Sequence, residues 1–164
     1  MTFRIEEKLH IVRENLFEFK NFLIKKTPKK PFNSRKIKSL YFDNKNFDMY
    51  NDSIEGLVPR KKIRVRHYPD SNDPNYYLEV KNSSVEGRFK RRKVISKQTF
   101  DEIKKIGILD SQYGNCFPKI YVEYSREYLL IDDVRISIDD NIKYSNFVSN
   151  FTSFDQKIIV ELNS

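Results

Sequence analysis

Two short runs carry the most chemistry per residue. Lys62, Arg64 and Arg66 alternate with Ile63 and Val65, and Arg88, Lys90 and Arg92 recur at the same spacing around Phe89. In an extended chain the side chains at i, i+2 and i+4 project from one face, so each run becomes a row of three cations. Like charges side by side on a sheet repel, and an ordinary solvated face relieves this by mixing signs. Rows of pure cation suit a surface that must hold an anion. Phosphate oxygens match the donors of Arg and Lys particularly well.

The same alternation recurs in other segments. Arg4, Glu6 and Lys8 share a face. Tyr77, Glu79 and Lys81 lie opposite Leu78 and Val80, Tyr124 falls with Arg126, and Arg135 falls with Ser137 and Asp139. Glu161 sits between Val160 and Leu162. Glu6, Glu79 and Glu161 thus appear once per strand among the cations, a composition that can hold phosphates through cations and a hard divalent metal through carboxylates. A one-sided sheet with a solvated outer face explains any single strand equally well. It does not explain two acid-free triplets together.

Composition narrows the choice of chemistry. The 164 residues carry 31 Lys and Arg against 23 Asp and Glu, a formal charge of +8, which points to an anionic partner. The 13 Phe and 10 Tyr argue for a folded core rather than a disordered chain. One cysteine, Cys116, allows no internal disulfide and fits a reducing compartment; within Gly-Asn-Cys-Phe-Pro it reads as a packing residue. Two His and one Cys are too few for an imidazole or thiolate metal centre. His10 and His67 are isolated, and His67 falls on the face opposite Arg66. No apolar run approaches the ~20 residues of a bilayer span, and Met1 begins no signal-peptide pattern. A cytoplasmic protein is expected, with Lys25-Lys26 and Lys29-Lys30 available to steer anions or touch acidic headgroups at a membrane face.

Positioning these residues requires mostly strands. Strands are expected over 3–12, 36–42, 61–68, 75–81, 88–95, 119–131, 134–142 and 157–162. A helix is expected over 14–26, where Leu16, Phe19 and Leu23 have helical spacing, and Pro28 and Pro31 end it. A short helical excursion over 44–52 ends at Gly56 and Pro59. Ser96 caps a third helix over 97–106, closed by Gly107. The 69–74 segment is a loop, 82–87 is a turn, and Asp132-Asp133 makes a tight one. No repeat or linker divides the chain, so one domain over 1–164 is expected.

The motifs, in this order, resemble a known family. Arg-Ile-Glu-Glu-Lys (4–8), Ser-Leu-Tyr-Phe-Asp (39–43) and Arg-Lys-Lys-Ile-Arg-Val-Arg (60–66) look like a VTC domain. Tyr-Leu-Glu-Val-Lys (77–81), Phe-Lys-Arg-Arg (89–92), Tyr-Ser-Arg (124–126), Val-Arg-Ile-Ser-Ile-Asp (134–139) and Ile-Val-Glu-Leu (159–162) continue the likeness. This is the polyphosphate-polymerase branch of the triphosphate tunnel metalloenzymes, a CYTH-like superfamily. The resemblance implies a mainly β (α+β) fold, a closed eight-stranded antiparallel tunnel barrel with a few short flanking helices. It implies transfer of the ATP γ-phosphoryl group to a polyphosphate chain, with Mn²⁺ or Mg²⁺. By motif, Lys8, Arg64, Arg66, Lys81, Lys90, Arg126 and Arg135 would hold ATP and polyphosphate, and Glu161 with Glu6 would hold the metal. A membrane-protein partner is also in keeping with such relatives.

Two departures qualify that expectation. The family has Glu-x-Lys in its last strand where this chain has Glu161-Leu162-Asn163. The family also continues into a C-terminal helix with a Ser-Lys pair, and this sequence ends at Ser164, so a domain lacking that helix is expected. The alternatives are a triphosphate hydrolase, a non-catalytic polyphosphate-binding domain, and a platform for single-stranded nucleic acid built on Tyr68, Tyr76, Tyr77 and Phe89. Glu6, Glu79 and Glu161 on the cationic faces would repel a nucleic-acid backbone, which disfavours the last.

Overall fold

Ten strands, three helices and one short 3₁₀ turn form from this sequence in the computed structural model, which describes residues 6–163. Contacts divide the chain into two compact units. One comprises Met1–Ile37, Glu123–Tyr144 and Ser153–Ser164, and the other Lys38–Val122 and Ser145–Thr152.

The second unit holds the two cation runs. Its central strands are β2 (Arg35–Asp43, from Lys38 onward), β3 (Arg60–His67), β4 (Tyr76–Ser84) and β5 (Gly87–Ile95), antiparallel in that order. One face carries Leu40, Phe42, Ile63 and Val65, which pack against Met49 of α2 (Asp48–Glu55) and Phe100 of α3 (Lys97–Ile106). That period-2 burial forces Ser39, Tyr41, Lys62, Arg64, Arg66, Tyr77, Glu79 and Lys81 onto the opposite face.

Both helices of this unit are closed by local chemistry. At α3, the Ser96 hydroxyl accepts the Thr99 amide at 3.0 Å, and Gly107 follows the last turn. At α2, the buried Asp43 carboxylate accepts the amides of Met49 and Tyr50 at 3.0 and 2.9 Å. The helix starts four residues later than 44 because the Asn44 side chain instead accepts the amides of Asn46 and Asp48, a turn that competes with helix.

The first unit uses the same plan. β1 (Glu6–Val12), β10 (Lys157–Asn163), β8 (Val134–Asn146) and β7 (Gly114–Ile131) lie in that order, β8 and β7 reaching in with their 134–144 and 123–131 portions. After a 3₁₀ turn at Arg13–Asn15, α1 (Leu16–Ile24) sets Leu23 against Leu129, Ile136, Ile138, Ile158 and Val160. Asp132 and Asp133 both have positive φ, 46° and 65°, as a two-residue hairpin turn demands.

Most expected elements form, with shifted ends. β7 begins at Gly114 rather than 119, since Gly114 and Pro118 both lie within the strand and Gly114, Asn115 and Cys116 pair with β6 (Ile108–Asp110). β6 and β9 (Thr152–Phe154) span three residues each, too few to show alternation. The expected strand over 3–12 is seen from Glu6; Phe3 to Ile5 lie outside the described residues. Among the described residues β1 pairs with β10 alone and β5 with β4 alone, so hydrogen bonds do not close the expected barrel. No helix among them is long and apolar enough to cross a membrane.

Gly107 turns the chain from α3 into β6 with φ +81°, and a Cβ there would stand 2.7 Å from the Cys116 carbonyl oxygen. Both the dihedral and the backbone contact forbid an L side chain. Gly107→Ala is expected to lower unfolding free energy by about 2 kcal/mol. Urea titration of the two proteins checks this, and equal midpoints would contradict it.

Candidate functional site

Register decides which charges meet. In the second unit Tyr41 pairs with Arg64, Arg64 with Glu79, and Glu79 with Arg92. Lys62, Lys81 and Lys90 form the next cross-strand row, and Ser39, Arg66 and Tyr77 the row beyond. Ten polar or charged side chains therefore share a face, and behind β2, β3 and β4 its reverse is core.

Glu79 is the centre of this face, its side chain only 1% exposed. Arg64 donates to its Oε2 from Nε at 2.8 Å and from Nη2 at 2.6 Å. Lys90 meets Oε1 at 2.6 Å, and Arg92 stands 3.6 Å from the same oxygen. Burial alone would raise the Glu79 carboxyl, but the Lys90 hydrogen bond and the charges of Arg64 and Arg66 bring it down from 4.5 to about 2. Glu79 is thus an anion at any ordinary pH. Sequence reading grouped it with Glu6 and Glu161 as metal-binding carboxylates; in the structure both its oxygens are taken by cations.

The remaining Arg64 donors are also directed. Its Nη1 donates to the Tyr41 hydroxyl at 2.8 Å. Burial would raise the Tyr41 phenol, yet Arg64, with Arg66 and Lys81 beyond it, holds it below its usual value. Arg66 is buried and donates from Nε to Ser39 Oγ at 3.1 Å. The guanidinium of Arg92 lies 3.7 Å over the Tyr77 ring. Lys81 is exposed on the rim of this face. Arg64, Arg66, Lys81 and Lys90 therefore share one face of the adjacent strands β3, β4 and β5. Ser39, Tyr41 and Arg92 join them; only the motif positions 39–43 and the 88–92 run hinted at these.

In the first unit, Glu6, Lys8 and His10 face one way with Glu161, Asn163, Arg135, Ser137 and Asp139, since Lys8 pairs with Glu161 and Glu161 with Ser137. Arg126 makes a two-armed bond to Asp139, 2.5 Å from Nε to Oδ1 and 2.6 Å from Nη2 to Oδ2. Burial would lower the Arg126 guanidinium, but the Asp139 bond holds it above its ordinary value. Glu161 is held more loosely. Its Oε2 is 4.0 Å from Arg126, and its Oε1 accepts from Asn163 Nδ2 at 3.3 Å. Lys8 lies 3.3 Å from Glu6 and is half exposed, and Arg135 is exposed. Among the described residues no three acidic, His or Cys side chains converge as a metal cage.

Other sequence candidates resolve as packing. Cys116 is fully buried, and burial pushes its thiol up to about 11, so it is no nucleophile. The His67 ring packs on Tyr76 at 5.0 Å. Tyr76 in turn stacks on Phe100 of the core at 4.7 Å, and Tyr68 is buried. Two of the four rings of the nucleic-acid platform are therefore committed elsewhere.

The sequence profile of the VTC domain matches residues 3–162. The chain belongs to the VTC domain family. No curated protein matches the chain in sequence. Among solved structures, a putative adenylate cyclase from Bacillus halodurans is 12% identical with a TM-score of 0.65, over 98% of this chain and 80% of that one. A putative adenylate cyclase from Vibrio parahaemolyticus is 12% identical with a TM-score of 0.56, over 96% of this chain and 74% of that one. A putative adenylyl cyclase from Hippeastrum, described as having a dominant triphosphatase activity, is 14% identical with a TM-score of 0.55, over 99% and 80% respectively. At such identities the likeness shows a shared fold.

Removing the Glu79 charge would leave Arg64 buried without its counterion. Glu79→Gln is expected to cost about 3 kcal/mol at pH 7. Because the folded carboxyl sits near 2 and the ordinary one near 4.5, this stabilisation is complete above pH 4.5 and is lost as pH falls towards 2. Denaturation of wild type and variant between pH 7 and pH 3 should show the gap narrowing. A gap independent of pH would refute the assignment.

Proposed function

We propose that this VTC-domain chain binds the phosphates of ATP and of polyphosphate through Lys8, Arg64, Arg66, Lys81, Lys90, Arg126 and Arg135, and transfers the γ-phosphoryl group onto the polyphosphate end. The observation that carries the reading is the imbalance around Glu79. Arg64, Lys90 and Arg92 all approach one carboxylate, and Lys62 adds charge in the adjoining row. A surplus of directed cations suits an anion carrying several charges, such as a run of phosphates.

The reaction asks little covalent chemistry of the protein. A terminal phosphate oxygen of the acceptor attacks the γ-phosphorus, the bond to the β–γ bridging oxygen breaks, and ADP leaves with that electron pair. The acceptor is already an anion, so no general base is required. The transition state spreads charge over the transferring oxygens, which fixed guanidinium and ammonium groups stabilise in place of water. Arg64, held by Glu79 on one side and Tyr41 on the other, needs no reorganisation to do so. Arg126, held by Asp139, is prepared in the same way.

Glu161, with Glu6, is the pair we assign to Mg²⁺ or Mn²⁺. Such ions take one or two carboxylates and complete their shell with substrate phosphate and water, so no protein cage is needed. The loose hold on Glu161 leaves it oxygens for this, unlike Asp139. Bound there, the ion would neutralise phosphate charge.

Two measurements test the proposal. Millimolar tripolyphosphate is expected to raise Tm by several degrees through mass action, and Lys81→Ala, at an exposed position, should reduce the rise without lowering the unliganded Tm appreciably. With ATP and Mn²⁺ the protein is expected to produce long phosphate chains, and Arg66→Ala to slow this about a hundredfold. Release of orthophosphate alone would make it a triphosphate hydrolase, and a Tm rise without turnover would make it a binding domain. No Tm rise at all would remove the phosphate reading.

A further inference from the structure

Apolar side chains along α1 and the segment after it stand in solvent. The helix commits Leu16, Phe19 and Leu23 to the core of its unit. Yet Phe22 is 58% exposed, Ile24 64%, and Phe32 63%. Between Ile24 and Phe32 runs Lys25-Lys26-Thr27-Pro28-Lys29-Lys30-Pro31, four lysines with no acid among them. Lys26 leans over the Phe22 ring, its Nζ 5.8 Å from the centroid.

Beside this segment lies a small open cleft. Leu23, Ile24, Pro28 and Leu129 make it apolar, while Lys20 and Lys30 line it as cations. Both lysines share the one Glu127 carboxylate, at 2.8 and 3.5 Å. The cleft therefore keeps a net positive charge, and Lys25, Lys26 and Lys29 are exposed around it.

We propose that this face docks on an anionic phospholipid bilayer. Two properties must be matched at once, a cluster in which cations outnumber the one acid, Glu127, and aromatic or aliphatic side chains projecting between them. A sheet of anionic headgroups over hydrocarbon matches both. Lysines meet lipid phosphates and carboxylates, and the rings of Phe22 and Phe32 with Ile24 enter the headgroup–acyl boundary. The lysine stems cover apolar surface while their ammonium groups stay with the headgroups. The apolar cleft with its cationic lining suits the glycerol and phosphate of a single lipid. This surface is separate from the residues assigned to phosphate transfer, and the proposal does not depend on that reading.

Sedimentation of the whole chain with vesicles tests it, using phosphatidylcholine alone or with about a third phosphatidylserine at physiological salt. Binding is expected to the anionic vesicles and not to the neutral ones. Each interfacial lysine contributes about fivefold, so Lys25→Ala/Lys26→Ala/Lys29→Ala should weaken binding about a hundredfold. Phe22→Ser/Phe32→Ser, with charge unchanged, should weaken it about tenfold. Equal binding by the phenylalanine variant would overturn the proposal, because charge alone would then account for attachment. So would a lysine variant that binds like wild type. Both variants should keep the Tm rise with tripolyphosphate; losing it as well would assign this face to the phosphate site and overturn the bilayer. A wild-type chain that binds vesicles yet shows no Tm rise supports this proposal while removing the phosphate reading.

Discussion

A carboxylate buried to 1% exposure between β3 and β5 governs the cationic face of the second unit. Taking Glu79 out of water is costly, and so is burying Arg64 beside it. Neither would be tolerated alone. Together, with Lys90 closing on the other oxygen, they make a set in which each charge is the reason the next can be buried. The geometry of the face follows from this. Arg64 cannot swing away without leaving Glu79, and Tyr41 limits it on the other side.

The first unit solves the same problem with a different ratio. Arg126 and Asp139 match one cation to one carboxylate through two parallel bonds, which leaves their pair neutral. Around Glu79 the ratio is three cations to one acid. The two arrangements therefore serve different ends. The Asp139 pair fixes a guanidinium in place, whereas Glu79 fixes three cations with a single negative charge. Glu161, between these extremes, is held by a weak amide bond and a distant guanidinium, and so retains coordinating capacity.

Much of this was legible in the chain because a strand has a period of two and no other freedom. Lys62, Arg64 and Arg66 had to share a face once Ile63 and Val65 were buried. The Ser96 and Gly107 boundaries of α3 were legible for a similar reason, since capping is local. What the sequence could not show was register. Nothing near Glu79 in the chain says that Arg64 and Arg92 lie opposite it, so its role as a counterion did not show in the sequence. Asp43 was likewise hidden inside a family motif, though its task is to receive the amides that open α2. Strands of three residues carry no readable period, which is why β6 and β9 were missed. Barrel closure was expected from the number of antiparallel strands as well as from the resemblance, and the hydrogen bonding among the described strands does not supply it.

The row of Lys62, Lys81 and Lys90 gives the protein an unusual relation to its solvent. Side by side on adjacent strands these ammonium groups repel one another, a cost that the Glu79 carboxylate against Lys90 reduces. Any multivalent anion in the medium lowers that energy, and chloride does so less effectively. The folded state is thus partly defined by its counterions. A stability recorded in phosphate buffer and one recorded in a zwitterionic buffer would describe two differently solvated forms of the same chain.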